Sequence, residues 1–508
     1  MTPRSLFRGA AIGAVVISLV GAGCSTADTA STKTTAASVD TTAAAASTVA
    51  PTTAAATVTT SAAAATSSAP ATTVAVPAGG QTADTFTGTA AFCKVGAPAP
   101  TGSVQIVQVR NQLEQLDKIG FNVPVGDPID IFQVFADEIN KCGGVGGKKI
   151  EMKTVEYSSL DPASRDKVCV AATEDNKPLV VVNSTSLQGP PVTCIAVEKK
   201  VPFIGTQGAP EADYKQANGR LSTIDVSLEG SLRNMADYLV ANHRFDGKKI
   251  GVVTGDLAGL DKVTKESLVD YLATKGVKVA AFETIGCAGA ATCGAGIPPA
   301  VESFKNAGVD VVLPTLNIVS LPAFIKEMAT QGMKATFYQS NFNSMGGDLP
   351  TDKVVAFGGP EAAALYNGAT VIDWQATGVA RVPNYKPDAF SDMCNATYAK
   401  GTKLGLSYSM KDTPVPFGMV GTVCSIMRIV GRSGAAAGKD LNGDTFGKAM
   451  SNLGPVDLNL GIPGSLRPDK MAMPDQIHTS TVVYPCPTPE FKSGCVIPTT
   501  DPPIKING

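Results

Sequence analysis

The chain has 508 residues, a formal net charge of −2 and a pI of about 5.9, with a single tryptophan, two histidines and eleven cysteines. Near-neutral charge with no long basic run excludes the electrostatic footprint of a nucleic-acid binder, and one tryptophan argues against a carbohydrate site built on aromatic stacking. No C-x-x-C pair accompanies the two histidines, so neither a structural zinc nor any other metal or cofactor is expected.

The chain opens with Arg4 and Arg8, an apolar run from Ala10 to Val20, and the small residues Gly21-Ala22-Gly23 before Cys24, the layout of a secretory signal over residues 1–23. The apolar run is shorter than the roughly 20 residues that span a bilayer. A cysteine directly after the small residues resembles a bacterial lipoprotein signal, in which Cys24 becomes the lipidated N-terminus and membrane anchor of the mature protein. Gly21 stands where such signals usually carry leucine, and an ordinary cleaved signal is the alternative; export follows in both cases. Residues 24–91 are almost all Ala, Thr, Ser, Val and Pro. Such a stretch cannot bury enough apolar surface to offset its ordering entropy, and it reads as a disordered tether.

Residues 92–508 are long enough for two lobes. Val104 to Val109 is a short apolar run, read as a strand. Helical spacing of Ile131, Phe132, Phe135 and Ile139 predicts a helix over 129–141, stopped at Gly143-Gly144. A strand over 149–155 follows, then a helix over 162–175 with Asp161 as N-cap. Leu179 to Val182 is a buried strand, a short helix follows Pro190-Pro191, and Pro202 to Ile204 is a fourth strand. A second set begins near Ser227, with helices over 231–242, 261–275, 299–306 and 321–331 alternating with strands over 249–253, 277–282, 309–313 and 335–338. Strands alternating with helices of this length predict an α/β fold of two doubly wound lobes with parallel sheets. After Asp352 helices near 387–400, 417–430 and 445–451 dominate, and the Pro-rich tail holds a possible strand at 479–483.

Removing Cys24 for a lipid leaves ten cysteines, which can pair completely in an oxidising compartment. Cys287 and Cys293 bracket a Gly/Ala loop, and Cys486 and Cys495 a Pro-rich one. Cys169 and Cys194 sit on consecutive predicted helices, as do Cys394 and Cys424, which leaves Cys93 with Cys142. Sequence alone does not prove this connectivity.

Three passages resemble the substrate-binding proteins of ABC importers of the branched-chain amino-acid (Leu/Ile/Val-binding) type, which have the type I periplasmic-binding fold. They are Phe135-Ala-Asp-Glu-Ile-Asn-Lys-Cys-Gly-Gly-Val-Gly-Gly-Lys-Lys-Ile150, similar to the family's INxxGGINGRKI passage; Leu179-Val-Val-Val-Asn-Ser-Thr-Ser186, a strand ending in a Ser/Thr-rich ligand loop; and Val201-Pro-Phe-Ile-Gly-Thr-Gln-Gly-Ala-Pro-Glu211, the next strand and its loop. The resemblance covers roughly residues 102–485. It implies lobe 1 from 92–223 and 347–463, lobe 2 from 224–346 and 464–508, and a hinge of crossover segments near Leu221–Val226, Ser344–Leu349 and Gly461–Leu466. It further implies a monomer that closes around a small-molecule ligand and docks on an ABC permease at the outer face of the cell membrane.

In open α/β sheets ligands sit beyond the carboxyl ends of the strands. The residues expected there are Gln112 in the loop after the first strand, Asn183, Ser184, Thr185 and Ser186 after the third, and Thr206, Gln207 and Gly208 after the fourth. In the second lobe they are Asp256 through Leu260, Asn317, Gln339 and Asn341. Hydroxyls, amides and free N–H groups suit an anionic or neutral ligand group. Relatives that bind amino acids usually hold the ligand ammonium with an acid after the strand that here ends in Tyr338-Gln339-Ser340-Asn341. Amides stand there instead, with Asp256 as a possible substitute or a helix cap. The expected ligand is a small polar organic molecule: an amino acid, an amide or a short carboxylate.

An enzyme is disfavoured. The chain has no G-x-S-x-G elbow and no H-E-x-x-H. Gly143-Gly144-Val145-Gly146-Gly147-Lys148-Lys149 follows a helix instead of a strand, and Lys149 stands where a phosphate loop needs Ser or Thr. A ligand sensor or envelope-interaction protein reusing the same fold is the competing reading.

Overall fold

The computed structural model describes residues 98–119, 128–287, 293–382, 385–403, 417–487 and 494–506. The expected signal (1–23), tether (24–91), Cys24 and Cys93 lie outside the described residues.

The first sheet has five parallel strands in the order β2-β1-β3-β4-β5: β1 Ser103–Asn111, β2 Lys149–Tyr157, β3 Val180–Asn183, β4 Phe203–Gly205 and β5 Leu221–Thr223. Its central strands are apolar on both faces because helices cover both; Val180, Val181 and Val182 are completely buried. On one face lies the helix Pro128–Lys141, which buries Ile131, Phe132, Phe135 and Ile139 as their spacing predicts. The chain then turns back into β2 through Gly143 and Gly144, both at positive φ. Over that helix pack two later helices, Ala389–Thr402 and Phe417–Ala437, so the first lobe is completed by sequence far downstream.

The second sheet has eight strands. β6 Ile250–Gly255, β7 Val279–Ile285, β8 Val311–Pro314, β9 Thr336–Ser340 and β10 Thr370–Asp373 run parallel, in the order β10-β9-β8-β6-β7. A two-stranded antiparallel piece, β11 Gly454–Pro455 with β12 Ser465–Leu466, stands apart from both sheets. Beyond it β13 Gln476–Val483 adds antiparallel to β10 and carries β14 Cys495–Pro498 and β15 Ile504–Lys505. A two-sheet, parallel α/β architecture is therefore present.

The expected lobe boundary at 347 needs correction. The helices Asp348–Gly358 and Pro360–Tyr366 lead into β10, which pairs with β9. Segment 348–373 thus belongs with the second sheet, and Ser344–Leu349 is no crossover. The four-residue β10 was missed because Thr-Val-Ile-Asp is too short to show a period. The connecting segments are 224–227, 374–382 with 385–388, and Met471–Asp475, which runs beside the end of β5: Thr223 N donates to Met471 O at 3.2 Å and Met473 N to Thr223 O at 3.0 Å. Leu221–Thr223, expected to be part of a crossover, is itself a strand.

Four disulfides pair as the spacing suggested: Cys169–Cys194, Cys287–Cys293, Cys394–Cys424 and Cys486–Cys495. Cys142 is also disulfide-bonded. Among the described residues no helix is long and apolar enough to cross a membrane, and no cluster of three metal-ligating side chains occurs.

Candidate ligand-binding site

The carboxyl ends of the two sheets meet. Gln188 Nε2, in the loop after β3, reaches Asn343 Oδ1, beyond β9, at 3.4 Å. Asn343 in turn donates to Thr315 O, beyond β8, at 2.9 Å. A further link passes through Asp225, which follows β5. Its Oδ2 accepts from Gly208 N, beyond β4, at 3.3 Å and from Asn341 Nδ2, beyond β9, at 2.9 Å.

The expected site residues divide by what occupies their polar atoms. Asn183 is fully buried and fully used. Its Nδ2 donates to Val109 O at 2.8 Å and to Thr185 Oγ1 at 3.2 Å, and its Oδ1 accepts from Leu187 N at 2.9 Å. Thr185 Oγ1 also accepts from Asn111 N at 2.8 Å. These two residues fasten the loop after β3 onto β1. Ser184 differs: it is 5 % exposed and its hydroxyl has no partner. Gln207 is equally buried, and its Nε2 has none either. Buried polar atoms are nearly always hydrogen-bonded, so these two unpartnered groups at adjacent strand ends are the candidate contacts for a ligand. Gly208 lies against the chain: a β-carbon there would overlap Val226 O. Thr206 is half-buried beside them, and Ser186 is exposed with φ +66°.

In the second sheet Asn341 bridges Asp225 and Gly346 N, the latter at 3.1 Å to its Oδ1. Gln339 points inward, donating to Met345 O at 3.0 Å and accepting from Tyr366 OH. Asn317 Oδ1 accepts from Val319 N and Ser320 N, at 3.1 and 3.0 Å, ordering the start of the helix Leu321–Thr330.

Three expected residues are engaged elsewhere. Asp256 is exposed; it makes no side-chain cap to the following helical turn and instead accepts from Cys287 N at 2.7 Å, tying down the disulfide loop. Leu260 is a core residue. Gln112 turns to the sheet edge, where Nε2 donates to Glu156 Oε2 at 3.0 Å and Oε1 accepts from Gln115.

Sequence reasoning missed the acids. Asp225 and Asp373, each 4 % exposed, flank Asn341. Burial pushes Asp225 up to about 8, with the neighbouring Asp373 charge adding to the rise, and burial pushes Asp373 up to about 7. Gly346 lies against Asp373: a β-carbon there would overlap the Asp373 carboxyl and Asn341 Oδ1. Asp373 was hidden in the unrecognised β10, and Asp225 in a stretch read only as a connection. An open groove also exists between the helix Leu228–Ala241 and β15, lined by Glu211, Arg233 and Asp237 among others. It reaches Val226 and Ser227, next to Asp225, and its charged groups Glu211 and Arg233 are ion-paired with each other.

Against this geometry, the periplasmic binding protein family matches residues 129–476. The chain belongs to that family, whose members are extracytoplasmic and which is not a family of enzymes. Solved structures agree in fold. A solute-binding protein of an ABC transporter from Rhodopseudomonas palustris BisB5, in complex with 3,4-dihydroxybenzoic acid, superposes with TM-score 0.55 at 14% identity, over 79% of this chain and 97% of that one. A possible leucine/isoleucine/valine-binding protein from Rhodopirellula baltica SH 1 gives 0.54 at 15% identity, over 79% and 98%. A fatty acid ABC transporter substrate-binding protein from Thermomonospora curvata gives 0.54 at 16% identity, over 80% and 94%. No curated protein matches the sequence.

Proposed function

We propose that the protein is an extracytoplasmic solute-binding lipoprotein, anchored through a lipid on Cys24, that holds a small polar organic molecule between its lobes and delivers it to an ABC permease. The observation that carries this reading is the pair of buried, unpartnered polar atoms, Ser184 Oγ and Gln207 Nε2, at the carboxyl ends of adjacent strands. Thr206 completes the polar wall on the first sheet. Thr315 and Asn343 close it from the second sheet. The ligand classes are amino acids, amides and short carboxylates, aromatic acids included; the aromatic acid and the branched-chain label of the structural neighbours are consistent with that range. The protein acts as a monomer without a cofactor, and closure requires contacts that both lobes make only in the closed form.

A thermal-shift screen tests it. With leucine, urea, acetate, 4-hydroxybenzoate and their analogues as probes, a ligand at 100 times its Kd adds about 2.7 kcal/mol of stability. One class is expected to raise Tm clearly, and Ser184→Ala with Gln207→Ala to abolish the rise. A rise that survives the double substitution removes these residues from the site.

A further inference from the structure

Asp225 and Asp373 stand at the floor where the two sheets meet. Asp225 is on the first connecting segment and touches both lobes, through Gly208 N on one side and Asn341 Nδ2 on the other. Asp373 ends β10 and fills the space that a side chain on Gly346 would need, beside Asn341 Oδ1. Neither carboxyl has an ion-pair partner within 4.0 Å among the described residues. Neither Asp373 oxygen finds a well-directed donor within 3.5 Å, although the Trp374 and Gln375 N–H groups and the Thr377 hydroxyl lie close enough to favour its charge. The other titratable groups facing the pair are Tyr214, from the helix Glu211–Ala217, and His478, opposite Asp373 on β13. Tyr214 is neutral because burial raises it. His478 is held below its usual range by burial and is hydrogen-bonded to Gln476 at 3.0 Å. Two like charges sealed from water without a counter-ion repel and lose their hydration, and the inexpensive resolution is a proton.

We propose that Asp225 and Asp373 make lobe closure proton-dependent: the pair enters the closed floor carrying protons taken from solvent, and gives them up when the lobes part and water reaches it. This rests on the reading that the lobes open and close around a ligand. The sign follows from the direction of both shifts. Each group is raised in the closed form above the value of about 3.9 that a hydrated aspartate has. The closed form therefore binds more protons between about pH 4 and about pH 8, and closure weakens as pH rises across that window, by up to about tenfold per pH unit for each proton involved, and levels off above it.

Trp374, the single tryptophan, is the neighbour of Asp373 and is 3 % exposed, so it reports on this floor in the full chain without a label. Acrylamide quenching of Trp374, without ligand, is measured from about pH 5.5 to about pH 9. The expected result is a severalfold rise in quenching with pH in the native protein, and a clearly smaller rise in Asp373→Asn, in which only Asp225 is left to ionise. A flat curve in the native protein, or an Asp373→Asn curve that follows the native one, overturns the proposal. If far-ultraviolet circular dichroism shows that Asp373→Asn does not fold, Asp225→Asn is read by the same two criteria. Because no ligand is added, a thermal-shift screen without hits leaves this result standing, and a flat quenching curve leaves the ligand reading standing.

Discussion

Adjacent hydroxyls in the loop after β3 have opposite roles. Thr185 Oγ1 satisfies the buried Asn111 N–H, while Ser184 Oγ satisfies nothing in the protein. Thr185→Ala is therefore expected to cost about 1–3 kcal/mol in urea unfolding, because it strands a buried donor. Ser184→Ala should leave stability within about 0.5 kcal/mol and weaken ligand binding by about two- to tenfold. Equal stability losses in the two variants would contradict this division. The acids make a second residue-scale prediction. Between about pH 4 and about pH 8 the folded chain holds protons on Asp225 and Asp373 that the unfolded chain has released, so their contribution to stability falls as pH rises. The Tm difference between Asp373→Asn and the native protein should accordingly widen in favour of the variant from about pH 5 to about pH 8 in differential scanning calorimetry. A difference that stays constant contradicts it.

At the scale of elements, the first lobe depends on helices supplied late in the chain. Phe417–Ala437 buries Val420, Val423, Ile426, Met427 and Val430 beside the helix Pro128–Lys141, and Cys424 joins it to Cys394 on Ala389–Thr402. Replacing both cysteines by serine should cost about 3–4 kcal/mol in denaturant unfolding, given their sequence separation of 30; an unchanged midpoint would mean that packing alone fixes the helix pair. Much of this layout was legible in the sequence. Period-3.6 helices and the buried valine run of β3 reveal themselves because burial sets their pattern. β5 and β10 did not, since three or four residues carry no period and their partners lie far away in sequence. The site was half legible for a related reason. Strand ends can be located, so Ser184, Gln207 and Asn341 could be placed beyond their strands, where the structure has them. Which polar atoms remain free depends on distant partners, so the anchoring work of Asn183, Asn317 and Asp256, and the acids flanking Asn341, were not.

At the scale of the molecule, two sheets turn their carboxyl ends toward one another, and three connecting segments leave a small number of polar bridges across the gap. Gln188–Asn343 and Gly208–Asp225–Asn341 are such bridges. If residues 24–91 are the expected tether, they span at most about 220 Å fully stretched, enough to keep the lobes near a membrane partner. If Cys24 carries a lipid, Cys24→Ser should move the protein from the membrane fraction to the soluble fraction, and retention on membranes would contradict that anchor. Ligand capture between the lobes remains the central claim. Hydrogen–deuterium exchange of the full chain with and without a thermal-shift hit tests it most directly. Added protection is predicted in both lobes at once, at residues 183–187, 206–209 and 225–227 and at 315–320 and 341–346. Protection confined to one lobe would contradict it.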